Sequence, residues 1–158
     1  KMVEAGEDPL FIVRRMVIFA SEDIGNAEPR ALLIAHGVKE TVQFVGMPES
    51  YYALAQGTIY LATAPKSNTA GTAYLRAKED VAKHPNAPVP LHLRNAVSPL
   101  MKEMGYGKGY EYAHEKTGNV VSHGHRPESV EGHVYYQPTR NGFETMIQKW
   151  IEERGKNR

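Results

Sequence analysis

Fourteen consecutive residues, Tyr51 to Ala64 (YYALAQGTIYLATA), carry neither charge nor proline. The run falls short of the ~20 apolar residues that span a bilayer. Its tyrosines and small residues (Tyr51, Tyr52, Ala55, Ile59, Tyr60, Ala62) instead suit a helix over Glu49 to Ala64, central in its fold and packed closely by neighbours. Pro65 stops it.

The flanking segments carry the same signature. Asp8-Pro9 reads as an N-cap with proline at the first helical position. The run Leu10 to Ala20 that follows is apolar almost all round, broken only by Arg14 and Arg15, and such a helix needs cover on more than one side. Near Pro29 a second helix starts, with Ala31, Ile34, Ala35, Val38, Val42 and Val45 at helical spacing and Gly46 at its end. Ser67 can cap a fourth helix, in which Ala70, Ala73, Tyr74, Ala77 and Val81 form one stripe and Arg76, Lys78, Glu79, Asp80 and Lys83 the wet face. Short linkers make an antiparallel helical array the expectation, so the fold class is all-α.

After His84 the texture changes. Pro85, Pro88 and Pro90 impose extended chain. Ser98-Pro99 opens a short helix through about Met104, and from Gly105 to Pro138 the chain has six glycines and little periodicity. Tyr106, Tyr110, Tyr112, Tyr135 and Tyr136 are expected to pin this irregular segment to the surface of the bundle. A terminal amphipathic helix follows, with Asn141 and Glu144 as a capping-box variant and Phe143, Met146, Ile147, Trp150 and Ile151 on one face. The expected organisation of residues 1–158 is one domain: a helical core over 1–84, a Pro/Gly-rich extended segment with one short helix over 85–140, and a terminal helix over 141–154. Lys1 to Gly6 reads as the tail of a helix continuing from a longer protein.

Composition narrows the function classes. The chain has no cysteine, which removes disulfides, thiolate metal sites and a cysteine nucleophile. Residues 1–104 carry 11 basic and 11 acidic side chains and residues 105–158 carry 8 and 7, so neither part is a basic patch for nucleic acid. The apolar run Leu10–Val13 ends at Arg14 and is not the core of a signal peptide. No membrane partner is expected.

Candidate chemistry weighs little. GYGKG (Gly105–Gly109) invites comparison with a phosphate loop, but Lys108 is followed by Gly109 where a Ser or Thr would hold Mg²⁺, and the glycines follow a helix where they should precede one. Gly105 reads instead as a left-handed helix stop. His114, His123, His125 and His133 are close in sequence, yet they lack the spacing and ligand set of a zinc site. Ser21, Glu22, Asp23, Ser67, Asn68, His92, Arg94 and Asn95 could be assembled on paper into a hydrolytic set, but their places at helix ends favour caps and inter-helix ties. Arg94 and Asn95 are expected to bind carbonyls left open at helix C-termini. No catalytic, cofactor-binding or metal-ligating residue is assigned.

Four blocks taken together are more specific than any one motif: FASEDIGNAEPRAL (Phe19–Leu32), GMPESYYALAQGTIYLATAPKSNTA (Gly46–Ala70), PVPLHLRNAVSPLMKEMGYGKGYEYAH (Pro88–His114) and YYQPTRNGFE (Tyr135–Glu144). In this order they resemble the C-terminal region of the RarA/MgsA family, replication-associated recombination ATPases related to the eukaryotic Werner-helicase-interacting ATPase. Asn119 to His133 is the least matched stretch. The resemblance implies a AAA+ parent whose ATP and Mg²⁺ site lies outside these residues, and which works with DNA forks and single-strand-binding protein in the cytoplasm, at the nucleoid. For this chain it implies a helical domain like the collar of clamp loaders, with itself as partner in a homotetramer. Leu10, Phe11, Met16, Phe19, Tyr51, Tyr52, Ile59 and Tyr60 are the candidate core and interface residues. Asp23, Ser67, Asn68, Arg94, Asn95, Gly105, Tyr106, Gly107 and Tyr110 are the candidate structural motif. A rival expectation is a DNA- or partner-binding module, with Lys102, Lys108, Lys116 and Arg126 contacting phosphates.

Overall fold

A computed structural model describes residues 1–116, 121 and 124–156. It is all-α: six α-helices and short 3₁₀ turns, with no strand among the described residues. The chain forms two compact units, one of Lys1–Leu75 with the chain from Tyr135 onward, the other of Arg76–Val134.

The first unit is built on three helices: α1 (Pro9–Phe19), α2 (Arg30–Val45) and α3 (Tyr51–Thr63). Asp8 caps α1 as expected, its carboxylate accepting the Leu10 N–H at 3.0 Å. Past Phe19 the helix widens into a π turn over Ala20–Ile24 and a 3₁₀ turn over Gly25–Ala27. These turns carry Ala20, Ile24 and Ala27 inward, where all three are buried. Glu28 opens α2, taking the Arg30 backbone N–H at 3.1 Å and its guanidinium through two 2.7 Å bonds. Gly46, at φ +76°, closes it.

The core places α2 at the centre. Ala31, Ala35, Val38 and Val42 form its buried stripe, while α1 contributes Val13 and Met16 and α3 contributes Leu54 and Leu61. The central helix is therefore α2, with α1 and α3 both packed on it, rather than the charge-free α3. At Gly57 the crossing is close: a Cβ there would lie 2.5 Å from Val38 Cγ2 and 2.8 Å from Met16 Cε. The expected fourth member of the array, α4 (Thr69–Lys83), buries no side chain, and Tyr74 and Val81 on its apolar stripe are mostly exposed.

The returning chain is laced onto this unit. The Phe143 N–H donates to the Ala27 carbonyl at 2.7 Å, and Asn141 Nδ2 to the Lys66 carbonyl at 3.0 Å. Gly142, at φ +54°, passes so near the Ala27 carbonyl and Pro65 that no Cβ fits. The last helix, α6 (Glu144–Lys156), starts from this tie.

The second unit is held differently. Its short helix α5 (Pro99–Glu103) is capped by Ser98, whose Oγ accepts the Met101 N–H at 3.3 Å. Gly105, at φ +80°, ends it: the Tyr106 N–H reaches the Met101 carbonyl and the Gly105 N–H the Lys102 carbonyl, each at 3.0 Å. This is the Schellman geometry that the glycine-stop reading anticipated. Gly107 and Gly109 also take positive φ. GYGKG is a series of turns closed onto Leu91, whose carbonyl accepts the Gly107 N–H at 2.8 Å. Among the described residues of this unit, Val130 is the one buried side chain.

Candidate functional site

Helices α1 and α3 each bury one face and leave the other open. On α1, Val13 and Met16 point inward, while Leu10, Phe11 and Ile18 remain about two-fifths exposed. On α3, Leu54, Gly57 and Leu61 face α2, and Tyr51, Tyr52 and Ile59 face out. Between these outer edges runs a groove of about 520 Å³ lined by Met2, Phe11, Ile12, Phe19, Leu61 and Ala62, with Arg15 on its wall. A second hollow of about 670 Å³, reaching Tyr51 and Ile59, shares Met2, Ile12 and Thr58 with it, so the two form one trough. Lys66 Nζ lies 5.4 Å over the Phe19 ring. The Tyr51 and Tyr52 rings lie tilted at 36° with centroids 4.4 Å apart, and Tyr52, followed by burial, pushes the Tyr51 hydroxyl up. Contiguous exposed apolar patches are features of interaction surfaces and ligand grooves.

Of the eight candidate core and interface residues, Met16 lies in the core, Phe19 and Tyr60 are half-buried, and Leu10, Phe11, Tyr51, Tyr52 and Ile59 are exposed. Burial, then the Glu28 carboxylate, pushes the Tyr60 hydroxyl up. Periodicity missed further apolar surface. Phe44 is 93% exposed and Leu33 71%, both off the α2 stripe. Of the face expected for the terminal helix, Phe143, Met146, Trp150 and Ile151 are 41–48% exposed and Ile147 is half-buried, with Phe143 and Trp150 edge to face at 5.6 Å.

The most connected polar residue is Glu144, fully buried. Its carboxylate accepts hydrogen bonds from the Thr69 hydroxyl, from Tyr136 Oη at 2.8 Å, and from the Thr139 N–H and Oγ1 at 2.8 and 2.6 Å. Asn26 Nδ2 in turn donates to Tyr136 Oη at 3.1 Å. Burial pushes the Glu144 carboxyl up, but the bonds from Thr139, Thr69 and Tyr136 outweigh it and hold the group at about 2. The expected capping box with Asn141 does not form, because Glu144 takes the Thr139 N–H and the Asn141 N–H goes to Thr139 Oγ1 at 3.1 Å. Nothing in local spacing reveals this role, since Thr69 and Asn26 are distant in sequence.

The structural-motif residues act mainly through the backbone. The Asp23 carbonyl accepts the Ser67 N–H at 2.8 Å, Ser67 Oγ accepts the Thr69 N–H at 3.4 Å, and the Asn68 carbonyl accepts the Thr72 N–H at 3.1 Å. In the second unit Arg94 Nε donates to the Val89 carbonyl at 2.6 Å and its Nη1 to Tyr106 Oη at 3.2 Å, with the guanidinium 5.1 Å from the Tyr106 ring. Arg94 therefore braces the proline-bounded segment itself, where an open helix terminus was expected. Asn95 is exposed. Tyr106 and Tyr136 are anchored, but Tyr110 and Tyr112 are more than half exposed. Lys116 pairs with Glu111 at 3.1 Å, which withdraws one of the four cations considered for phosphate contact.

Ser21, one of the residues of the hydrolytic set, bonds back from its Oγ to the Val17 carbonyl at 3.0 Å. Among the described residues no three His, Cys, Asp or Glu side chains are grouped to hold a metal, and His123 lies outside those residues. No helix of the described chain is long and apolar enough to cross a membrane.

Known proteins supply the context. Residues 1–154 match the family described as MgsA AAA+ ATPase C terminal. The Escherichia coli K12 protein named replication-associated recombination protein A is 43% identical over 162 residues, covering 99% of this chain and 36% of that protein. The Bacillus subtilis protein of the same name is 34% identical over 150 residues. ATPase WRNIP1 of Dictyostelium discoideum is 44% identical over 138 residues, 87% of this chain and 16% of that protein. The chain thus spans about a third or less of the length of these relatives. With the match running from the N-terminal turn through α6, the chain belongs to the C-terminal domain family of MgsA-type AAA+ ATPases.

Proposed function

We propose that this chain is the homo-oligomerisation domain, as a tetramer, of a cytoplasmic, nucleoid-associated AAA+ ATPase that acts in replication-fork maintenance and recombination. ATP and Mg²⁺ would bind in a separate ATPase module, and DNA and single-strand-binding protein would be partners of the whole protein. Its helices would play the part of a clamp-loader collar, holding several ATPase modules at high local concentration so that neighbours complete one another's sites.

The observation that carries this reading is the open, charge-free outer face of α3 beside the apolar edge of α1. Phe11, Tyr52 and Ile59 keep apolar surface in water, which costs about 25 cal/mol for each Å² left unburied. A second protein surface recovers that energy. Sedimentation equilibrium on this chain tests it: a tetramer is expected at micromolar concentration, and Phe11→Asp with Ile59→Asp should dissociate it while far-ultraviolet circular dichroism stays unchanged. A monomer across the whole concentration range would overturn the proposal.

A further inference from the structure

We infer that Glu144 is a clasp that holds α4 and α6 as one releasable unit, so that both helices let go together while the α1–α3 core stays folded. This conformational device goes beyond the oligomerisation reading and does not depend on it.

A helix in a folded protein draws most of its stability from an apolar face packed on its neighbours. At 15 and 13 residues, α4 and α6 are marginal without such packing, and neither has it. α4 buries no side chain, and α6 buries Glu144 alone among its described residues. The buried apolar cluster of the first unit draws its members from α1, α2, α3 and the π turn, with none from α4 or α6. That core is complete without the two helices.

What holds them is polar and gathered at their first residues. Glu144 opens α6 and Thr69, 75 residues earlier, opens α4, and the Thr69 hydroxyl donates to Glu144 Oε1. The same oxygen accepts from Tyr136 Oη at 2.8 Å, and Asn26 of the 3₁₀ turn donates to that hydroxyl at 3.1 Å. Oε2 takes the N–H and the hydroxyl of Thr139. Two further ties, from the Ser67 N–H to the Asp23 carbonyl and from the Phe143 N–H to the Ala27 carbonyl, hold residues that precede the helices.

Chain order gives the clasp its consequence. The chain leaves the first unit through α4 and comes back to it at Tyr135. Glu144 binds the outgoing chain at Thr69 and the returning chain at Tyr136 and Thr139, so breaking its bonds loosens both connections at once. A buried carboxylate also disfavours half-open states, because losing one donor leaves its charge uncompensated in the interior. Release is therefore cooperative, although Thr69 and Glu144 are far apart in sequence.

Native-state hydrogen exchange of the whole chain, followed over low denaturant concentrations, tests the inference. The amides of Tyr74 on α4 and Trp150 on α6 are expected to open with one free energy and one denaturant slope, below those of Val38 and Val42 on α2. Thr69→Val removes the donor on α4 and leaves α6 untouched in sequence. It should nevertheless speed exchange at Trp150 roughly ten- to a hundredfold, and Thr69→Ser, which keeps the hydroxyl, should hold exchange near the wild-type rate. Tyr74 and Trp150 opening at different free energies, or both opening only together with α2, overturns the inference in the wild-type chain alone. Exchange at Trp150 that Thr69→Val does not move overturns it as well.

Discussion

Glu144 illustrates how much one side chain can hold. A buried carboxylate is costly unless every lone pair is used, and here four donors from Thr69, Tyr136 and Thr139 use them. Glu144→Gln removes the charge that strengthens these bonds and turns an N–H₂ toward hydroxyl donors. The expected cost is about 2–4 kcal/mol, read as a lower thermal midpoint. The sign of the pH dependence follows from the depressed folded pKa, about 2 against an ordinary value of 4.5. The unfolded chain takes up the proton first, so the contribution is fully present above pH ~4.5 and is lost as pH falls toward ~2. Denaturant titrations of wild type and Glu144→Gln should therefore converge over that window; a gap that stays constant with pH would contradict the ionised-carboxylate account. Glu28 is also held at about 2, by the Arg30 guanidinium, but Arg30 is largely exposed and solvent screens the pair. Of the two acids, Glu144 carries the stability.

At the scale of the element, the three-helix core depends on how closely α3 approaches α2. Gly57 is the contact point, and a methyl group there meets Val38 and Met16. Gly57→Ala should cost about 1–3 kcal/mol. Val38→Ala makes room, so the double variant should be more stable than the sum of the single losses requires. A double-mutant cycle from chemical denaturation measures this, and strict additivity would show that the crossing is not tight. The same approach explains why a charge-free helix is not the central one. Glycine lets α3 lie near α2 on one side, and the turn of the helix then carries Tyr51, Tyr52 and Ile59 away from it. Helical spacing showed that this segment was a helix. It could not show that the uncharged outer face stays exposed in the folded chain, because a core face and an exposed apolar face have the same composition.

For the whole molecule, if copies cover the α1–α3 trough as proposed, assembly and stability become one quantity and the thermal midpoint should rise with protein concentration. Differential scanning calorimetry over a hundredfold concentration range should show that rise in wild type and not in the Phe11→Asp, Ile59→Asp variant. The sequence was sufficient for whatever depends on neighbours in the chain: the Asp8-Pro9 and Ser98-Pro99 helix starts, the Gly46 and Gly105 stops, the helical period of α2, and the four blocks that carry the family resemblance. These are short-range effects of backbone geometry and capping, set within a few residues. Tertiary structure alone decided which helix became central, that α4 buries nothing, that Glu144 joins Asn26, Thr69 and Tyr136, and that Val130 is the one buried residue described between Arg76 and Val134. Those outcomes depend on segments far apart in the chain competing for the same apolar surface and the same donors. No local pattern records who wins that competition.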